Sequence, residues 1–301
     1  MPESKITVVV TVFNEKNNIE ALITSLQNQS LNPMEIIITD ANSSDGTWEI
    51  LTMLAQNYPQ LKIYKVPGNR SKGRNVAIEK AKTEFIAVTD SGVIADYRWL
   101  EELADALEEG AFAVAGFYKP LTQNRFEEAV AQMTIPSLKT VDPKHFLPSS
   151  RSVAFRKTAW EKAGGYPENL SYNEDTPYDL ALQKAGYEFV FVPEAIVYWR
   201  PRGSLKAVFR QFFYYALGDG EAGIQYQDYL PIFLRYLLLV LFPYGTYLAF
   251  VLWAIRFYRD LTKCRSLIFL PLRLTIDIAD MSGFLYGRKE AWEKWRQKSS
   301  S

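Results

Sequence analysis

Short apolar runs alternate with amphipathic stretches along the first two thirds of the chain. Residues 6–13, Ile-Thr-Val-Val-Val-Thr-Val-Phe, form a continuous β-branched run. Such a run predicts a strand buried on both faces of a parallel sheet. A helix through about residue 28 follows, with Asn14 or a neighbour as its cap. The rhythm then repeats as strand 34–39, helix 46–56, strand 61–66, helix 72–82, strand 84–89, helix 97–108 and strand 111–117. Alternation of this kind predicts an α/β fold whose central sheet is mostly parallel, with helices on both faces.

After Pro120 the pattern loosens, and residues 118–150 read as loops. A strand-like run at 152–156, a helical 157–163 and the turn Gly164-Gly165-Tyr166-Pro167 come next. A helix from about 174 to 186 is followed by two short apolar runs, 188–192 and 195–199, parted by Pro193-Glu194. This half is expected to add strands and one wall of a cleft.

Beyond Ser204 aromatic and aliphatic residues dominate, which divides the chain into a domain at 1–205 and a helical, membrane-associated region at 206–301. Residues 236–255 are 20 positions without a charge. That is about the 30 Å of helix that crosses a hydrocarbon core, although a buried core helix is an alternative. Pro243-Tyr244-Gly245 interrupts the stretch, and basic residues flank it on both sides: Lys206, Arg210 and Arg235 before, Arg256, Arg259, Lys263 and Arg265 after. Cations on both flanks favour a hairpin or paired short helices over a single crossing. The second stretch, 267–286, carries Arg273, Asp277 and Asp280 and reads as interfacial. Phe209, Phe212, Phe213, Tyr214 and Tyr215 around Arg210 suit either a headgroup layer or a packed helix.

Charge and rare residues narrow the chemistry. Lys plus Arg and Asp plus Glu both total 34, so no bulk positive charge argues for a nucleic-acid partner. Cys264 stands alone and excludes an internal disulfide, in keeping with a reducing compartment. His145 is the single histidine and reads as a loop residue with no partner, which excludes a His-rich metal cage and a Ser-His-acid triad. The start, Met1-Pro2-Glu3-Ser4-Lys5, shows no charged-then-apolar leader, so the first domain is expected in the cytosol.

Two predicted strands end in an acid: Asp40 after 36–39, and Asp90-Ser91-Gly92 after 85–89. Open α/β sheets bind ligands at the carboxyl ends of their strands, so these acids point to a nucleotide, with a metal as a further candidate. The order of motifs is specific: Val10-Thr11-Val12-Phe13-Asn14-Glu15, Asp40-Ala41-Asn42-Ser43-Ser44-Asp45-Gly46-Thr47, Gly73-Arg74-Asn75, Asp90-Ser91-Gly92, Gly164-Gly165-Tyr166-Pro167 and Glu174-Asp175. Taken together, these segments resemble the inverting family-2 glycosyltransferases of GT-A fold, over about residues 5–202.

The resemblance implies a nucleotide-sugar donor held by Thr11, Phe13, Glu15, Asp40, Arg74 and Asp90, with Asp40 on the base. It implies Asp175 as the base that deprotonates the acceptor hydroxyl, with Glu174 on the acceptor side; Asp179, one helical turn after Asp175, is expected there too, although the family's second acid follows the pair more closely. Asp90 is expected to reach the ribose or a divalent cation, Mn²⁺ or Mg²⁺. Gly92 stands where the family more often has a metal ligand, and Val197-Tyr198-Trp199-Arg200 where it often adds a histidine. Arg200 and Arg202 are therefore expected to share the diphosphate charge, since guanidinium matches phosphate oxygens in pairs. The expected activity is inverting transfer from a UDP-sugar to a hydroxyl of a glycan or lipid-linked acceptor, on the cytosolic face of a membrane. Two rivals stay open: a polyprenyl-phosphate glycosyl synthase, whose acceptor needs no base, and a silent scaffold that binds a partner. A nucleotidyltransferase is discounted, because Phe13-Asn14-Glu15-Lys16-Asn17-Asn18 is no Gly-rich triphosphate loop.

Overall fold

The computed structural model describes residues 5–241, 255, 258 and 268–299. In chain order the elements are β1 (Ile6–Val12), α1 (Ile19–Gln27), β2 (Glu35–Asp40), α2 (Thr47–Asn57), β3 (Leu61–Lys65), α3 (Arg70–Lys80), β4 (Phe85–Asp90), β5 (Val93–Ala95) and α4 (Trp99–Glu108). They continue as β6 (Ala113–Pro120), α5 (Arg125–Thr134), β7 (Val153–Arg156), α6 (Lys157–Ala163), α7 (Asp175–Lys184), β8 (Phe189–Trp199), α8 (Leu205–Ala222), α9 (Tyr226–Leu241) and, last, α10 (Phe269–Ser299). Two compact units result. One comprises Met1–Leu121, Ser137–Asn169 and Glu174–Arg200; the other comprises Thr122–Pro136, Leu170–Asn173 and Pro201–Ser301.

The first unit is built on an eight-stranded sheet of order β3-β2-β1-β4-β7-β6-β8-β5. Ile6, Val8, Val9 and Val10 of β1 are fully buried, which explains the unbroken apolar run. Strands β3, β2, β1 and β4 are mutually parallel, as strand–helix alternation requires. The expected mostly parallel sheet is nevertheless mixed. β7 lies antiparallel to both β4 and β6, and β5 antiparallel to β8. An antiparallel neighbour needs no crossover over the face of the sheet, so β7 can enter between β4 and β6 directly.

The two runs around Pro193 form one strand. Its pairing with β6 slips between Ala115 and Phe117, so residues 192–195 lie opposite Gly116. A bulge tolerates the N–H that Pro193 lacks. The register also sets Val12 beside Asp40, and Thr11 beside both Thr39 and Asp90. Two acids thereby arrive at one edge of the sheet.

The second unit is helical. α5 occupies part of the stretch expected to be loop. Its signal was present: the Asn124 side chain accepts the Glu127 N–H at 2.9 Å, and Glu127 accepts that of Gln123 at 2.7 Å. Ala129 and Val130 of α5 then pack with Val208, Leu272 and Ile276. The aromatics of α8 pack within this unit, Phe212 against that cluster and Tyr214 stacked 4.2 Å from Tyr172.

α8 and α10 meet backbone to backbone. A Cβ added at Gly283 would strike the Phe213 carbonyl oxygen, and one at Gly287 the Leu217 carbonyl oxygen. Glycine permits this approach because it leaves the seam without side chains. Asp277, one of the charges that suggested a polar face, is buried, and its carboxylate accepts from Arg235 at 3.1 Å and from Tyr236 at 3.0 Å. Ile278 and Leu285 of the same helix are exposed.

Among the described residues no helix is long and apolar enough to cross a membrane. Positions 242–254 of the uncharged stretch 236–255 lie outside the described residues, as does position 267 of the stretch 267–286.

Gly287→Ala tests the seam. The added methyl group meets backbone on α8, so the variant should lose about 1–3 kcal/mol of stability, read as a lowered thermal unfolding temperature.

Candidate active site

The loops after β1 and β2 are laced together. Asn14, with φ 55°, donates its N–H to Ser43 Oγ at 2.9 Å, and its side chain accepts the Ser44 N–H at 2.9 Å. Glu15 N–H reaches Thr47 Oγ1 at 2.9 Å, and Lys16 N–H reaches Asp45 at 3.1 Å. The Glu15 carboxylate accepts from Asn18 at 2.8 Å. Asp40 is fully buried, and both its oxygens accept from Ser43, from the N–H at 3.0 Å and the hydroxyl at 2.5 Å. Its immediate task is thus to hold the turn that opens this loop. Phe13 does the opposite and leaves 59% of its surface exposed at the edge of the sheet.

Arg74 is the centre of the site. Asn69 caps α3 by accepting the Lys72 N–H at 3.0 Å, and Gly73 lets the helix press on the sheet. A Cβ at Gly73 would lie 2.8 Å from Thr11 Cγ2 and 2.9 Å from Thr39 Oγ1. Arg74 was expected to line a donor pocket; its side chain is instead only 2% exposed and works inside the protein. Its guanidinium donates to Asp90 Oδ1 at 3.0 Å, Glu174 Oε1 at 2.5 Å and Asp175 Oδ1 at 3.1 Å. The Tyr166 ring lies 5.1 Å away. Burial opposes the charge, but Asp175, Glu174 and Asp90 more than offset it, and Arg74 stays protonated.

Asn75 fixes the neighbouring turn. Its side chain donates to the Tyr166 carbonyl and to Glu168, each at 2.9 Å, and accepts the Tyr166 N–H at 2.9 Å. Gly164 and Gly165 supply the positive φ values of 87° and 75° that the turn needs. The Gly-Gly turn and the Arg-Asn pair, far apart in sequence, therefore form one structure.

Asp175 begins α7, where free backbone N–H groups favour an anion. Ser150 donates its hydroxyl to Oδ1 at 2.6 Å and its N–H to Oδ2 at 3.1 Å. Burial pushes the carboxyl up, but Arg74, the two bonds from Ser150 and the charge of Arg151 hold it below the ordinary carboxylate range. Its side chain is 22% exposed, against 6% for Glu174.

Asp179, one turn further along the helix, is buried, and its Oδ2 has no hydrogen-bond partner among the described residues. Burial first, and then the charge of Asp175, push Asp179 well above the usual carboxylate range, with Arg74 opposing. Both acids expected on the acceptor side are thus interior, Glu174 as a partner of Arg74 and Asp179 as a buried acid whose carboxyl is pushed up by burial. Tyr178, stacked 3.9 Å from Tyr166, lies beside them in the core.

Asp90 is 33% exposed, and its second oxygen faces Arg151 Nε at 3.8 Å. The residues here do not suit a divalent cation. Both carboxylate oxygens look toward a guanidinium, and Gly92 offers no ligand. No group of three or more His, Cys, Asp or Glu able to hold a metal ion occurs among the described residues.

Arg200 and Arg202 are both exposed, and Arg202, in the second unit, donates to Gln211 at 3.1 Å. Besides Arg74, the cation beside Asp90 is Arg151, which the sequence reading did not single out. Ser150 was missed with it, because Ser149-Ser150-Arg151 looks like an ordinary approach to β7. His145, expected to have no partner, pairs through Nδ1 with Asp142 at 2.7 Å on the surface.

Comparison with known proteins follows the same lines. The model described as "Glycosyl transferase family 2" matches residues 7–164, and that of "Glycosyl transferase family group 2" matches 107–278. "Succinoglycan biosynthesis protein ExoA" of Rhizobium meliloti (strain 1021) is 29% identical over 82% of this chain and 78% of its own length. "UDP-Glc:alpha-D-GlcNAc-diphosphoundecaprenol beta-1,3-glucosyltransferase WfaP" of Escherichia coli is 32% identical, but over 29% of this chain and 34% of its own length. Among solved structures, "Mannosyltransferase PcManGT from Pyrobaculum calidifontis in complex with GDP-Man and Mn2+" superposes with a TM-score of 0.61 at 18% identity, covering 94% of this chain and 86% of that one. At that identity the likeness shows the shared fold.

Two substitutions test the core of the site. Arg74→Met leaves three carboxylates facing one another and should cost about 3–5 kcal/mol in denaturant unfolding at neutral pH. Asp179, with its folded pKa raised, contributes stability that is full below the unfolded value and is lost as pH rises through the folded one. As pH rises above the ordinary carboxylate range, about 4, the wild-type unfolding midpoint should therefore carry a loss from Asp179 that Asp179→Asn removes.

Proposed function

Because the chain belongs to glycosyl transferase family 2, we propose that it moves a sugar, with inversion, from a nucleoside diphosphate donor to a hydroxyl of a glycan or lipid-linked acceptor. A UDP-sugar is the simplest donor, in line with the activity named for the Escherichia coli relative. The observation that carries the proposal is Asp175, a partly exposed carboxylate held ionised by Arg74 and Ser150 near the strand end that presents Asp90.

The donor lies across the carboxyl edge of β1, β2 and β4. The exposed ring of Phe13 gives the nucleobase a face to stack on. Glu15 and Asp40 hold the two loops behind it, Thr11 stands at the strand end beside Asp90, and Asp90 accepts a hydrogen bond from a ribose hydroxyl. As the acceptor oxygen attacks the anomeric carbon, the bond from that carbon to the β-phosphate oxygen breaks and its electron pair leaves with the diphosphate. Asp175 takes the acceptor proton. A carboxylate held below its usual range is a weak base, so the proton moves late, once bond formation has acidified the hydroxyl. Attack opposite the leaving group turns an α-linked donor into a β-linked product. Asp179 is interior, which leaves Asp175 as the acid that can reach an acceptor. The Mn²⁺ named with the Pyrobaculum structure is not carried over, because the donors around Asp90 do not suit it.

We place the catalytic unit at the cytosolic face of a membrane. Ile278, Leu285, Trp292 and Trp295 stand exposed on α10, and 236–255 is uncharged. The relatives' names, for a succinoglycan biosynthesis protein and a transferase acting on a diphosphoundecaprenol acceptor, suit polysaccharide biosynthesis there.

The weak basicity of Asp175 also favours a second reading, in which the acceptor is a polyprenyl phosphate that arrives already ionised. Asp175→Asn separates the two. With a hydroxyl acceptor, turnover should fall by about 10²- to 10⁴-fold while nucleotide binding stays unchanged. Retained turnover with intact donor binding would instead assign the phosphate acceptor.

A further inference from the structure

If the chain uses a nucleoside diphosphate donor, something must offset the charge of the leaving diphosphate, and the interior of the site names what that is. Arg74 is unavailable, since three carboxylates enclose it and its side chain is 2% exposed. Asp90 lies between two guanidiniums and suits a divalent cation poorly.

Arg151 is differently placed. Its carbonyl oxygen accepts the Thr89 hydroxyl at 2.7 Å, which ties it to β4 one residue before Asp90. Its guanidinium lies over Trp199 at 4.6 Å and over Tyr118 at 5.2 Å, and Nη1 donates to Ser149 Oγ at 3.1 Å. The side chain is 13% exposed, and its 3.8 Å approach to Asp90 is longer than a direct hydrogen bond. A guanidinium on aromatic faces is fixed in direction before any ligand arrives, is weakly hydrated, and matches phosphate oxygens in pairs.

We propose that Arg151, clamped by Trp199 and Tyr118, binds the donor diphosphate, so that donor binding requires no divalent cation. This inference rests on the donor reading above. Asp90 then serves the ribose and also keeps Arg151 aimed. When the bond to the anomeric carbon breaks, the departing β-phosphate oxygen keeps the electron pair and Arg151 carries the countercharge, with no proton or redox partner needed. Arg200 and Arg202 are not required for this role.

The test is calorimetric titration of the full chain with UDP, UMP, GDP and GMP, in EDTA and in Mn²⁺. The wild type should bind one of the diphosphates equally well under both conditions and more tightly than its monophosphate. Arg151→Met should lose about 10- to 100-fold in diphosphate affinity and leave the monophosphate unchanged. Arg151→Lys, which keeps the charge without the paired geometry, should fall between.

Diphosphate binding that needs Mn²⁺ would overturn the proposal, and so would an Arg151→Met variant with wild-type affinity. If Arg151→Met fails to fold, the EDTA and Mn²⁺ titrations of the wild type still decide. If no diphosphate binds the wild type under either condition, the donor reading itself has failed and this inference falls with it.

Discussion

The site is organised by one buried guanidinium. A charge taken out of water is tolerated only when it is surrounded by opposite charge and hydrogen bonds. Arg74 meets that condition with acids from two places, Asp90 at the end of β4 and Glu174 with Asp175 at the start of α7. Satisfying Arg74 therefore brings the strand end and the helix start together. Gly73 admits the helix that carries it, and Asn75 on the same turn fastens Gly165 and Tyr166. Three consecutive residues thus set the geometry of a site drawn from four parts of the chain.

The same cation sorts the acids. Asp175 touches Arg74 and Ser150, which hold its carboxyl below the ordinary range, whereas Asp179, one turn on, is enclosed with an oxygen unpartnered among the described residues and is pushed well above it. Two carboxyl groups on one helix are thus shifted in opposite directions by their surroundings alone.

Much of this was legible in the sequence. The β-branched run of β1, the strands ending in Asp40 and Asp90, and the helix starting at Glu174-Asp175 are local signals, and all three appear where they were read. What escaped was non-local. The antiparallel entry of β7 depends on which strands it meets, and the continuity of β8 through Pro193 depends on a bulge against β6. Arg74 looks like a ligand residue in sequence because a buried arginine cannot be told from an exposed one until its three acids are found. Arg151 carried no motif at all. Its place follows from Trp199 and Tyr118, which only the folded sheet brings to it. α5 is the exception, since its Asn124–Glu127 cap was a local signal passed over.

The glycine seam between α8 and α10 has a mechanical consequence. Phe213 meets Gly283 and Leu217 meets Gly287, so the two helices run side by side in the same direction with main chains touching. Side chains normally act as a compliant layer between helices, turning rotamers to absorb a small slide or roll. Here that layer is missing, and a slip of one residue would drive a side chain into a carbonyl. The pair is therefore a stiff beam, about 46 Å long on the α10 side. A load applied to the outward face at Ile278 and Leu285 passes into α8 with little slack to dissipate it.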